Sequence, residues 1–140
     1  MSRVAAVRCV LAVVVGCVPP VLVKPQAPVA SDDPQFDAAL GRTVGEFAKG
    51  VEYREAQMGA VYPVSTGWHV EQRRGGVTYG RSKQVDALFR AASGCYVVHF
   101  VVVQAFDGRD YQDSYTANRS SAFAQGPSTP REDIACADFH

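Results

Sequence analysis

Cys95-Tyr96-Val97-Val98-His99-Phe100-Val101-Val102-Val103-Gln104-Ala105-Phe106, with Gly94 before it and Asp107-Gly108 after it, is the stretch that decides the fold. β-branched and aromatic residues run through it almost without a polar break, as in a strand buried on both faces at the middle of a sheet. A helix would restrict the side chains of five valines that a strand accommodates. At roughly 3.3 Å per residue such a strand crosses the full width of a small domain.

On its C-terminal side, Asp107-Gly108 is a turn signal, and Tyr111, Asp113, Tyr115 and Ala117 alternate with Gln112, Ser114, Thr116 and Asn118. That alternation predicts a polar-faced outer strand. The tail from Ser120 to His140 carries Gly126, Pro127 and Pro130 and reads mostly as loop. On the N-terminal side, Val85, Leu88, Phe89 and Ala92 fit one helical face, with Ser82 as cap and Gly94 as stop. This predicts a helix, with a strand as the alternative.

Further back, Trp68, Val70 and Gln72 alternate with His69, Glu71 and Arg73, then Gly75-Gly76, then Val77 and Tyr79. Two alternating runs around a Gly-Gly pair predict a β-hairpin, with Arg73, Arg74, Gly75 and Gly76 at its tip. Residues 51–64 are ambiguous between a short helix and an edge strand at Ala60-Val61-Tyr62. Asp33-Pro34 supplies an N-cap carboxylate and a first-turn proline. Phe36, Leu40, Val44 and Phe47 follow at helical spacing as far as Gly50, a C-cap candidate. Gly41 and Gly45 lie one turn apart within this helix and weaken its propensity.

The whole is α+β, a single domain over residues 32–140: an N-terminal helix packed on an antiparallel sheet of about four strands. Lys plus Arg and Asp plus Glu both number 14 in the 140 residues, so no net charge directs the chain to nucleic acid.

Of the four cysteines, Cys9 and Cys17 lie in an apolar leader and Cys95 and Cys136 in the body. No CxxC or Cys/His cluster is present, which argues against a structural zinc site, and no cofactor fingerprint is visible. Two body cysteines in an exported chain are expected to pair as one disulfide, closing a loop of about 40 residues worth about 3–4 kcal/mol in the chain-entropy model, with reduced thiols as the alternative.

The first residues, Met1 to Val23, combine Arg3 and Arg8 with an apolar run broken by Pro19-Pro20. This is an export signal in pattern, and the run is too short to span a bilayer. It closes on Val14-Val15-Gly16-Cys17, which resembles the lipobox of bacterial lipoproteins, with Val14 where that family usually has leucine. The resemblance implies that residues 1–17 end at a lipidated Cys17, and that the only membrane attachment is a lipid anchor in the cell envelope. A plain secretory signal is the alternative. Residues 18–31 carry Pro19, Pro20, Pro25 and Pro28 and read as a semi-rigid tether.

Catalytic patterns are weak. Cys95 and His99 are four apart on a strand, hence about 13 Å from each other, too far for a nucleophile and its base. His69 and Glu71 share a strand face about 7 Å apart, a geometry for an acid–base pair or for a solvated hairpin. The aspartates at 107, 110 and 113 lack calcium-loop spacing. Asn118-Arg119-Ser120 is a glycosylation sequon only if the chain passes through an endoplasmic reticulum.

One stretch, Ala39 to Lys49, is similar to the first helix of cystatins, and Gln72-Arg73-Arg74-Gly75-Gly76-Val77 resembles their QxVxG hairpin tip, with Arg74 in place of valine and no Pro-Trp hairpin. The resemblance implies a cystatin-like or NTF2-like helix-on-sheet architecture. The expectation is a small exported, lipid-anchored protein with a non-enzymatic binding or inhibitory role, its partner a protein or envelope component. A secreted cysteine-protease inhibitor acting through the Arg73–Gly76 tip is the first alternative. An exported hydrolase using His69 and Glu71 is the second.

Overall fold

Asp33 starts the helix as its sequence requires: its Oδ1 accepts the backbone N–H of Phe36 at 3.1 Å. Helix α1 (Pro34–Gly50) runs through Gly50 rather than stopping before it. The structure is a computed structural model, and it describes residues 21–30, 32–50, 55–119 and 131–140. Residues 1–20 of the leader, Cys9 and Cys17 among them, lie outside the described residues.

Six strands follow: β1 (Gln57–Pro63), β2 (His69–Gln72), β3 (Thr78–Ala91), β4 (Gly94–Phe106), β5 (Tyr111–Arg119) and β6 (Arg131–Ile134), with a 3-10 turn at Cys136–Asp138. All pair antiparallel in one sheet. β3 and β4 form a long central hairpin in register from Gly80 opposite Ala105 to Ala91 opposite Gly94. Each carries two short strands in tandem along its outer edge. β2 and then β1 border β3, while β6 and then β5 border β4.

The architecture is therefore α+β, one helix on a curled antiparallel sheet, with three departures from the sequence reading. Residues 82–91 are strand, not helix. The sheet has six strands among the described residues, not about four. Part of the tail, 131–134, is a sheet strand rather than loop.

The first departure has a clear cause. Both faces of β3 are covered, so Val85, Ala87 and Phe89 are buried on one side and Asp86 and Leu88 on the other. A strand buried on both faces shows no apolar–polar alternation, and Val85, Leu88, Phe89 and Ala92 imitate a helical period.

The helix covers one face. Phe36, Leu40, Val44 and Ala48 pack on Val85, Ala87 and Phe89 of β3 and on Val98, Phe100 and Val102 of β4. Burial of each large side chain contributes about 1.5–3 kcal/mol. Beside the first turn of the helix lies Lys83, only 2% exposed. Its ammonium pairs with Asp32 and sits 5.0 Å from the ring centre of Trp68 and 5.4 Å from that of Phe36. A buried ammonium needs such a partner. The Lys83 hydrogen bond also holds the Asp32 carboxyl below the usual range.

The back face is covered by the two ends of the described chain. Tyr62, Leu88, Cys95, Val97 and Ile134 form a second cluster, with Val23, Ala60, Val64 and Phe139 packed against it. Of the stretch read as a tether, residues 21–30 run along this face. Val23 bridges to Ile134 and donates to the Asp133 carbonyl at 2.9 Å, and Val29 donates to the Pro63 carbonyl at 3.0 Å. Cys95 and Cys136 stand at disulfide distance, with sulfurs 2.09 Å and Cα atoms 5.1 Å apart. The final residues fit over Gly59, where an added Cβ would come within 2.5 Å of the His140 carbonyl oxygen.

Candidate functional site

Two regions concentrate polar chemistry, one at an end of the sheet and one on its back face. At the end, the β2–β3 turn and the β4–β5 turn leave the sheet in the same direction, because β3 and β4 are paired and both turns adjoin their Thr78 and Phe106 ends. The β2–β3 tip is as the sequence predicted, with Gly75 and Gly76 at φ 93° and 79°, a conformation that side chains with a Cβ resist. Arg73, Arg74, Gly75 and Gly76 are all exposed. Arg73 lies over the Tyr79 ring at 5.6 Å. The adjoining Val70, Val77 and Tyr79 are exposed large side chains, Val77 by 64%.

Below the tips, the two hairpins are tied together by Arg81. Its guanidinium stands 4.2 Å from the ring centre of Trp68, ahead of β2, and 4.2 Å from that of Tyr111, at the start of β5. Arg81 Nε donates to Gln104 Oε1 at 2.8 Å. Sandwiched between two rings and hydrogen-bonded, this cation is a brace rather than a contact point. In the β4–β5 turn, Asp107 accepts the backbone N–H groups of Arg109 and Asp110, both at 2.8 Å, and those bonds lower its pKa.

The paired candidates His69 and Glu71 do not assemble into an acid–base site. Glu71 Oε1 accepts a hydrogen bond from Ser82 Oγ at 2.6 Å, and His69 is exposed.

The back face holds a cluster that sequence reasoning missed. Asp86 on β3 and His99 on β4 are directly paired across the central hairpin. His99 Nδ1 lies 2.7 Å from Asp86 Oδ1 and its Nε2 lies 2.9 Å from Glu132 Oε2 on β6. Burial lowers the His99 pKa, but the hydrogen bonds and charges of Asp86 and Glu132 together outweigh it, and the net displacement is upward. With carboxylates on both nitrogens, the protonated ring can donate twice, and the upward displacement favours that form. Asp86 is 1% exposed, and its Oδ2 makes no hydrogen bond with any described group.

This triad lines a cavity of about 210 Å³ whose opposite wall is the strap residues Val23, Lys24, Pro25 and Gln26. The signals in the sequence were a lone histidine in the core strand and one acidic residue in an otherwise buried stretch of β3. Glu132 is 33 residues from His99 and became a neighbour only through β6.

Among the described residues no helix is long and apolar enough to cross a membrane, and no group of three His, Cys, Asp or Glu side chains is arranged to hold a metal. Comparison with protein-family models, with curated proteins and with solved structures gives no match to this chain.

Proposed function

We propose that this is a small exported protein, lipid-anchored through Cys17 in the cell envelope, that binds another protein by the hairpin end of its sheet and performs no catalysis. The observation that carries the binding role is the end surface itself. Two turns project together, Arg73, Arg74, Val70, Val77 and Tyr79 are exposed there, and the Trp68–Arg81–Tyr111 sandwich stiffens the support beneath. Aromatic and arginine side chains on a rigid support are the usual anchors of protein interfaces. A binding rather than catalytic reading is supported at His99, where both ring nitrogens are engaged by carboxylates.

A photo-crosslinking amino acid at Val77 of the full chain, expressed in the cells that make it, tests the surface. A discrete adduct is expected from position 77 and none from Arg42 on the exposed side of the helix. Adducts of equal yield at both positions, or none at 77, sink the assignment. The anchor is tested separately, by the mass of the mature N-terminus. A diacylglyceryl group on Cys17 is expected, and an unmodified Cys17 within the mature chain refutes it.

A second reading is favoured by one observation, the shared direction of the two turns. It makes the protein a cystatin-like inhibitor whose Arg73–Gly76 tip enters a cysteine-protease cleft. Assay of the full chain against papain-type proteases decides it: stoichiometric inhibition that Gly76→Val abolishes supports it, and undiminished hydrolysis at high inhibitor concentration removes it.

A further inference from the structure

The cavity on the back face is built differently from the hairpin surface. Val23, Pro25, Val64 and Val97 give it apolar wall, Lys24, Gln26 and Gln84 add polar groups, and Asp86, His99 and Glu132 line it together. Apolar walls with a few convergent polar groups are the usual make-up of a small-molecule site.

The charges of this triad do not cancel. A protonated His99 brings one positive charge to two carboxylate side chains, those of Asp86 and Glu132. Lys24 of the strap also lines the cavity, but its side chain is 82% exposed and its ammonium is already paired with Asp138 at 2.8 Å. Asp86 Oδ2 is sealed from bulk water without a donor, an arrangement that burial alone disfavours. Asp86 is one of the residues lining the cavity, so a donor seated against that wall is placed to supply the missing bond.

Three ligand classes can be compared on these facts. An anion meets two carboxylates and is repelled. A metal ion finds both nitrogens of His99 already directed at carboxylates, at 2.7 and 2.9 Å. An ammonium group brings three donors and one positive charge, and a short carbon tail suits the apolar walls.

We infer that the cavity bounded by Asp86, His99, Glu132 and the strap binds a small primary amine in its protonated form. The ammonium donates to Asp86 Oδ2 and to the Glu132 carboxylate, and the tail lies against Val64 and Val97. The site is separate from the hairpin end and does not depend on the function proposed for it.

The test is an NMR titration of the full, oxidised chain with propylammonium, and with propionate as an anion of similar shape, both below neutral pH. Saturable shifts at the His99 ring and at the Val64 and Val97 methyls are expected with propylammonium and not with propionate. Glu132→Gln, whose side chain is partly exposed and whose fold is therefore safe, should weaken the amine at least tenfold. Asp86→Asn should abolish binding if it folds. No saturable shift at His99, an equal response to propionate, or unchanged affinity in Glu132→Gln each overturns the assignment.

Discussion

Both faces of the sheet are covered, but by different means. The helix face is covered by one continuous element, and its contacts are almost entirely apolar: Phe36, Leu40, Val44 and Ala48 against Val85, Ala87, Val98, Phe100 and Val102. The back face is covered by two segments from opposite ends of the described chain. They are held by Cys95 and Cys136 at disulfide distance, by the Asp86–His99–Glu132 triad and by the Lys24–Asp138 pair. Burial by a helix depends on packing alone. Burial by short irregular segments needs directional links, because such segments bury too little apolar area to offset their own ordering. The helix face is thus expected to be sensitive to volume, and the back face to redox state and pH.

The largest effect belongs to the helix face. Phe36 is fully buried and meets Trp68 and Tyr115 edge-on, with ring centres 5.0 and 5.5 Å away. Phe36→Ala should cost about 3–5 kcal/mol in chemical denaturation. A loss below about 1 kcal/mol would mean that the helix is not the element closing that face. On the back face, Cys136→Ala should cost about 2–4 kcal/mol. It should also expose residues 131–140 to proteolysis while helix-face amides stay protected from hydrogen exchange. Peptide mapping without reduction should recover Cys95 and Cys136 in one linked fragment, and two alkylatable thiols would break this side of the comparison.

The pH response should come from the back face. The folded pKa of His99 lies above its ordinary value, so its stabilising contribution is complete below the ordinary histidine range and is lost as pH rises through the folded value. Facing the ring are Asp86 from β3 and Glu132 from β6, with Lys24 on the strap that walls the cavity. On deprotonation the ring keeps one donor, so one carboxylate loses its bond. Stability measured from mildly acidic to mildly alkaline pH should therefore decline, by less than removal of Cys136 costs, and Glu132→Gln should flatten the decline. A pH profile that Glu132→Gln leaves unchanged would assign the titration elsewhere.

This contrast also explains what was legible in the sequence. α1, β4, β5 and the β2–β3 tip are local patterns: an N-cap followed by helical spacing, an unbroken apolar run, a polar alternation, a Gly-Gly turn. Each could be read within its own stretch. β3 could not, because Asp86 and Leu88 are buried by segments distant in the chain, and the alternation that betrays a half-exposed strand is absent. β6 could not, because Arg131-Glu132-Asp133-Ile134 has no strand signal of its own and gains one only beside residues 95–98 of β4. The triad inherits both obstacles. His99 stood out only as a lone histidine in a core strand, and neither of its partners was recognisable as such. Cys95 and Cys136 were the exception on this face, since pairing two cysteines requires no knowledge of the path between them.

The smallest predicted effect sharpens the helix-face half of the comparison. Gly41 and Gly45 each reduce helix propensity, and one explanation is that the sheet approaches too closely for a side chain. The geometry separates them. A Cβ on Gly41 would meet nothing within 4 Å, whereas one on Gly45 would lie 3.3 Å from the Met58 Cε of β1. Neither glycine has a positive φ, so alanine fits the backbone at both. Gly41→Ala should therefore stabilise the protein by about 0.5–1 kcal/mol, the ordinary helix-interior difference between the two residues. Gly45→Ala should gain less, because the Met58 methyl must move by a few tenths of an ångström, although the end of a methionine can move. Thermal denaturation of the two variants side by side gives the ranking. If Gly41→Ala instead destabilises, that side of α1 is in contact with something other than solvent, and the helix has a second partner besides the sheet.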